Sequence, residues 1–185
     1  MSIKSKIAVA TLMAMSLASI DAMAAATGNT GNTGKVTFTG EVVDSPCNLA
    51  SGPDGADVKV DFGQLSMAQL NAGVKVSEQF SLKLENCALS TKAGDGTVTT
   101  KTAEITFNSS DVDAANAALL KTNGGATGLG IGIDGYTFGT AAPIKGLVDG
   151  NNDLRFTATA QQRVAGTNVT AGDFMAATNF VISYK

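Results

Sequence analysis

The chain has 185 residues, with 13 basic and 16 acidic side chains, no histidine, no tryptophan and two cysteines. A slightly acidic chain has nothing to attract nucleic acid, and without histidine Ser-His-Asp and Cys-His catalysis and the commonest metal ligand are all excluded. Aromatic residues make up 5% and glycines number 21, so the core is expected to be thin and built from Val, Ile, Leu, Ala and Phe.

The chain opens with the basic MSIKSK, continues with the fourteen-residue apolar run IAVATLMAMSLASI, and then offers Ala22-Met23-Ala24 as small residues for a signal peptidase. This is the pattern of an export signal over residues 1–24. A membrane span needs about 20 apolar residues, so the run is too short for one, and the exported product is expected to be soluble. Removing Lys4, Lys6 and Asp21 leaves 11 basic and 15 acidic residues.

A Gly/Asn/Thr-rich stretch, Thr27–Gly34, precedes Lys35–Val43, which alternates and is rich in Val, Phe and Thr, as strands are. It is expected to be the first strand of a domain spanning residues 35–185. Further strands are predicted at Val58–Phe62, Phe80–Cys87, Val98–Phe107, Leu129–Ile133, Leu154–Ala160 and Phe174–Tyr184, each bounded by Gly, Asn or Asp. Seven short strands point to an all-β sandwich. Met67–Asn71 is expected to form a single turn and Val112–Lys121 a short surface helix. No repeat or long linker divides the chain.

In the last strand Phe174, Ala176, Thr178, Phe180, Ile182 and Tyr184 share one face, because successive strand side chains point to opposite sides. Met175, Ala177, Asn179, Val181 and Ser183 share the other, and the terminal carboxylate of Lys185 sits beside the strand. Such a strand can be an edge that another chain reads. Cys47 and Cys87, in an exported chain, are expected to bond to each other. Closing a loop of about 40 residues would constrain the unfolded chain by roughly 4 kcal/mol. A redox pair would usually show C-x-x-C spacing.

Several motifs have ordinary readings. Asp149-Gly-Asn-Asn-Asp153 resembles the start of a calcium loop, but Leu154 and Ala160 stand where that loop needs glycine and a bidentate acid, so a solvated turn is expected. Gly128-x-Gly130-x-Gly132 lacks a following helix and a phosphate-binding lysine. Asp111 and Asp113 suit a loop or helix entry. No cofactor, metal or small-molecule substrate is expected.

The segments GKVTFTGEVVDSPC (Gly34–Cys47), VDFGQLS (Val60–Ser66), FSLKLENC (Phe80–Cys87) and Gly172–Tyr184, in that order, resemble chaperone–usher pilus subunits. The likeness spans nearly all of the exported chain and is strongest to the major rod pilins of P-type and type 1 pili. It implies an incomplete immunoglobulin-like sandwich lacking its C-terminal strand, with a groove beside Phe174–Tyr184. It also implies three partners: a periplasmic pilus chaperone that lends a strand, an outer-membrane usher, and neighbouring copies whose N-terminal extensions replace the lent strand. Gly172 and Tyr184 match the assembly motif, the Lys185 carboxylate is implied to be gripped by the chaperone, and Cys47 and Cys87 match the family disulfide.

The donor extension is placed at residues 25–34 running into Val36. One register presents Ala26, Gly28, Thr30, Asn32, Gly34 and Val36, the other Thr27, Asn29, Gly31, Thr33 and Lys35. Neither offers a row of large apolar side chains, so contact per residue is expected to be weak. The implied role is a structural subunit of a surface fimbrium supporting adhesion, without catalysis. Other readings are a minor adaptor pilin and, in another class, a free-standing carbohydrate-binding sandwich, against which stand the missing tryptophan and the scarcity of tyrosine, limited to Tyr136 and Tyr184.

Overall fold

The frame of the molecule comes from its two longest alternating runs, around FSLKL and LRFTATA, where every second side chain is apolar. A computed structural model describes residue 32 and residues 34–185. The expected export signal and donor positions Ala26, Gly28 and Thr30 lie outside these. The chain divides between Glu41 and Val42, and Val42–Lys185 is one compact unit.

Ten strands occur among the described residues: β1 (Asn48–Leu49), β2 (Val76–Cys87), β3 (Ser90–Lys92), β4 (Val98–Thr100), β5 (Ala103–Asn108), β6 (Leu120–Lys121), β7 (Leu129–Ile133), β8 (Ala142–Ile144), β9 (Gly150–Gln162) and β10 (Asn179–Tyr184). They form a five-stranded sheet, β1-β2-β9-β7-β6, a three-stranded sheet, β10-β5-β8, and a β3-β4 ribbon. All pairings are antiparallel. On β2 and β9 the even-numbered Leu82, Leu84, Phe156, Ala158 and Ala160 are buried. Leu82 and Phe156 meet Ile105 and Phe107 of β5 across the sandwich, where Phe107 stands edge-on to Phe156 with centroids 5.5 Å apart.

A second cluster holds Leu70, Leu129, Ile131, Ala160 and Val169. A third joins Cys47, Cys87, Leu84 and Leu89, with Ile182 and Tyr184 packed on it. The expected Cys47–Cys87 disulfide is formed. Met67–Asn71 is a helix, α1, whose first turn is capped by the Ser66 hydroxyl accepting from the Gln69 N–H.

Five expectations need correction. Lys35–Val43 is not a strand, and neither is Val58–Phe62: alternation prepares a strand, but a ladder needs a neighbour, and neither segment has one among the described residues. The expected Val98–Phe107 strand is two, β4 and β5. Val112–Lys121 is not helical, because the Asp113 carboxylate accepts the N–H groups of Ala115 (2.8 Å) and Asn116 (3.0 Å), turning the chain before a helix can start. Asp113 is itself buried and paired with Arg163 at 2.8 Å. Of the last predicted strand, only Asn179–Tyr184 pairs in a ladder.

Candidate strand-accepting groove

From Asp173 to Lys185 the side chains alternate between exposed and half-buried, with Phe174, Ala176, Thr178, Phe180, Ile182 and Tyr184 all turned inward. The face read from the sequence is the face the structure buries, even in the half that forms no ladder. The main chain alternates too. Lys185 and Thr102 exchange both N–H···O bonds (2.8 and 3.0 Å), and Met175 and Asn123 do the same at 2.8 Å each. In an antiparallel pair the hydrogen-bonding groups of successive residues point to opposite edges. The odd-numbered residues therefore face β5 and Asn123, while those of Phe174 to Tyr184 at even positions face an edge with no strand beside it among the described residues.

Beside that edge lies an apolar groove. One wall is formed by residues 56–65 and the other by residues 169–180; Phe80, Leu82, Phe107, Ile133 and Ala158 form its floor. It consists of a 460 Å³ hollow and a 560 Å³ hollow that share Val60, Phe62 and Phe174. Where they meet, the Phe62 and Phe174 rings approach to 6.3 Å between centroids. The wall ADVKVDF alternates, with Val58, Val60 and Phe62 half-buried and Asp57, Lys59 and Asp61 exposed. Residues 58–65 make no backbone–backbone hydrogen bond with another described residue. The 58–65 wall is thus backbone without a ladder among the described residues, and the 174–180 wall is bonded through its odd-numbered residues alone.

The 560 Å³ end is held by local chemistry. The Asn71 amide at the end of α1 donates to the Val169 carbonyl at 3.1 Å and accepts the Val169 N–H at 2.6 Å. Gly172 passes so close to Gly125 and Ala126 that a Cβ would lie 2.4 Å from the Ala126 nitrogen, so a side chain is sterically excluded there. At the other end Tyr184 packs on the disulfide cluster. Burial pushes its phenol above the ordinary value, and a hydrogen bond with Ser45 partly offsets this. The Lys185 ammonium pairs with Glu104 at 2.7 Å.

Of the expected donor positions, Asn32, Gly34 and Val36 are described, and all are exposed. The donor positions Ala26, Gly28 and Thr30 lie outside the described residues. Residues 34–43 have no regular secondary structure, and Val36, Phe38 and Val42 are 74%, 90% and 101% exposed. The apolar row missing from residues 26–34 continues through Val36, Phe38, Gly40 and Val42. The wall at residues 56–65 was also missed as a wall, although its alternation had been read as a strand.

The remaining motifs have structural roles. Asp149 accepts the N–H groups of Leu89 (2.6 Å) and Ser90 (3.1 Å), which holds its carboxyl below the ordinary range. Gly132 lets the 118–119 segment approach β7, since a Cβ there would lie 2.9 Å from the Ala118 carbonyl oxygen. Among the described residues no group of His, Cys, Asp or Glu side chains is placed to hold a metal ion.

Residues 36–185 match the family model described as fimbrial protein. The chain is 40% identical to the Fimbria A protein of Serratia marcescens, over 97% of this chain and 98% of that one. It is 36% identical to the Pap fimbrial major pilin protein of Escherichia coli, over 97% and 99%. Among solved structures, a chain from a chaperone–usher pilus studied for rod uncoiling superposes with a TM-score of 0.73 at 35% identity, covering 85% of this chain and 99% of that one. The P pilus rod subunit PapA superposes with a TM-score of 0.64 at 29% identity, over 76% and 100%.

Proposed function

The chain belongs to the fimbrial protein family, and on that premise we propose that its groove accepts a strand lent by another chain. It is a structural subunit of a surface fimbria, with the incomplete immunoglobulin-like sandwich of chaperone–usher pilins. A periplasmic pilus chaperone supplies the first lent strand. At an outer-membrane usher the N-terminal segment of the next copy replaces it, and the fimbria grows by one subunit. We assign the chain no catalytic step.

The observation that supports this best is the unpaired edge from Phe174 to Tyr184 above an apolar groove. Left open, such an edge is a template for aggregation. An added strand satisfies its N–H and C=O groups, and alternate side chains fill the hollows. The chaperone-binding set is Gly172, Phe174, Ala176, Thr178, Phe180, Ile182, Tyr184 and the Lys185 carboxylate. For the donor we favour residues 34–43, with Val36, Phe38, Gly40 and Val42 inward, over the earlier placement at residues 25–34. Gly40 is the one position in that row without a side chain, and it suits the place where the Phe62 and Phe174 rings close the groove.

The test is periplasmic expression with and without a cognate pilus chaperone, for the full chain and for a chain lacking residues 25–43. A soluble one-to-one complex is expected only with the chaperone, and the deletion is expected to be captured yet to add no further subunit. Abundant monomer without chaperone would overturn the groove assignment in favour of a self-complete binding module. Normal polymer from the deletion would overturn the donor assignment. Abundance in sheared fimbriae separates a rod subunit from a trace adaptor.

A further inference from the structure

The outer face of the five-stranded sheet, away from the groove, carries a polar depression. On β9 the even-numbered Ala158 and Ala160 are buried toward the core, so Thr159 and Gln161 point outward. Beside them on β7 stand Gly130 and Gly132, whose missing side chains let Leu119 lie flat on the sheet. A Cβ at Gly130 would come within 3.3 Å of Leu119 Cδ1, and one at Gly132 within 3.2 Å of Leu119 Cδ2. Two hollows of 280 and 330 Å³ flank this leucine and share Lys75, Leu119 and Gln161.

Gln161 is the anomaly here. Its Oε1 is buried without a hydrogen-bond partner, alone among the side-chain nitrogens and oxygens of the described residues. A buried acceptor left unpaired is costly, and a ligand that brings a hydroxyl donor relieves it. The 280 Å³ hollow also presents the Lys75 ammonium, which pairs with no described carboxylate, and the Arg163 guanidinium. Arg163 is held through Nη1 by buried Asp113 at 2.8 Å, which leaves the rest of its donor fork for another acceptor. No carboxylate lines this hollow. The 330 Å³ hollow does hold one, Asp134, whose Oδ1 accepts from the Thr159 hydroxyl at 2.7 Å while Oδ2 has no described partner.

We propose that the two hollows form one binding site for an acidic sugar, a ring bearing hydroxyl groups and one carboxylate or sulfate. The anionic group lies at Lys75 and Arg163, and the hydroxyls lie toward Gln161 and Asp134. The charge pattern sets this orientation, because Asp134 repels an anion yet accepts from a hydroxyl. A simple anion has no donor for Gln161 Oε1, and a neutral sugar leaves the Lys75 ammonium unused. Ligand pockets span about 300–1,000 Å³, so hollows of this size hold a single sugar residue. One such site is weak, and repetition along a fimbria turns weak sites into firm attachment. The site lies on the sheet face opposite the groove, and the inference stands whether or not the groove accepts a strand.

The test uses the exported full chain in the soluble form recovered from the periplasm, with any co-purified chaperone alone as the blank. It is titrated by NMR with glucuronate, N-acetylglucosamine 6-sulfate, glucose and acetate. At least one of the two acidic sugars is expected to bind about ten-fold or more tighter than glucose or acetate. The tighter of the two identifies carboxylate or sulfate as the anionic group. Acetate or glucose binding as tightly as the acidic sugars, or no saturable binding by either acidic sugar, overturns the proposal. Lys75→Gln, an exposed position, is expected to weaken the acidic sugar about five- to ten-fold and leave glucose unchanged. Gln161→Met, which removes the orphaned acceptor at nearly constant length, is expected to weaken the acidic sugar about five-fold or more without lowering the thermal midpoint. Unchanged affinity in either variant overturns the proposal.

Discussion

From Asn179 to Tyr184 the last segment pairs residue by residue with β5, whereas from Gly172 to Thr178 its main chain meets described backbone only at Asn123 and Ala126. Both halves carry the same alternation and turn the same face inward. The difference lies in what surrounds them. The paired half lies over Cys47, Cys87, Leu84 and Leu89 and has a complete sheet on one side. The other half forms a wall of the groove, opposite residues that also lack a ladder. Burial of alternate side chains is set within the chain, but the ladder is left for a second chain to complete.

The largest test of that contrast strikes the closed end. Cys47→Ser opens the loop that ties β1 to the end of β2, and roughly 4 kcal/mol of stabilisation is expected to go with it. Periplasmic abundance should collapse even with chaperone present; unchanged abundance would mean that the closed end does not depend on its disulfide.

The next test sets one residue from each half side by side. Ile182→Ala removes packing from the disulfide cluster and is expected to cost about 2 kcal/mol whether or not a strand occupies the groove. Phe174→Ala should cost less in the open subunit, because half of Phe174, packed on Phe62 and the Leu70–Leu129–Val169 cluster, still faces the open groove, and more once a strand is bound. Urea unfolding with and without a peptide of residues 34–44 measures both. Equal dependence on the peptide for the two variants would erase the distinction between the halves.

Much of this was legible in residue order. The inward face of residues 174–184, the disulfide, the turn at Met67–Asn71 and the strand Leu129–Ile133 all follow from short-range pattern and export context. What was not legible depends on neighbours. Lys35–Val43 and Val58–Phe62 have the composition of strands, and periodicity cannot say whether a partner exists within the same chain. The Val112–Lys121 segment has helical content, but one carboxylate, Asp113, captures two N–H groups and is itself fixed by Arg163, 50 residues away. The alternating run from Val36 to Val42 reads as a body strand by periodicity, yet it forms no ladder among the described residues.

A comparable but more local effect is expected at Gly172. Adding a methyl group there brings a Cβ within 2.4 Å of the Gly125 carbonyl carbon and the Ala126 nitrogen, both backbone atoms that cannot rotate away. The 122–128 segment must shift, and a cost of about 1–3 kcal/mol follows for Gly172→Ala. The damage should be confined to the open end: hydrogen exchange should quicken at Ala126 and Met175, whose N–H groups bond across this crossing, while β5 and β10 stay protected. Faster exchange in β10 as well would mean that the halves unfold as one unit.

The smallest expected effect is a dependence on acid at the closed end. The Asp149 carboxylate accepts the N–H groups of Leu89 and Ser90, and these bonds hold its pKa below the ordinary 3.8. A carboxyl whose pKa is lower in the folded chain than in the unfolded one stabilises the fold above the unfolded value. That contribution is lost as pH falls through the folded value. Stability should therefore be insensitive to this group near neutral pH and decline below about pH 4. In Asp149→Asn the amide oxygen can still accept a hydrogen bond but no longer titrates, so the variant should be somewhat weaker at neutral pH and show a shallower decline in acid. Leu89, fully buried beside the disulfide, makes the readout local: its N–H should exchange faster in acid than those of β7, and an equal rise in both would place the acid sensitivity elsewhere in the sandwich.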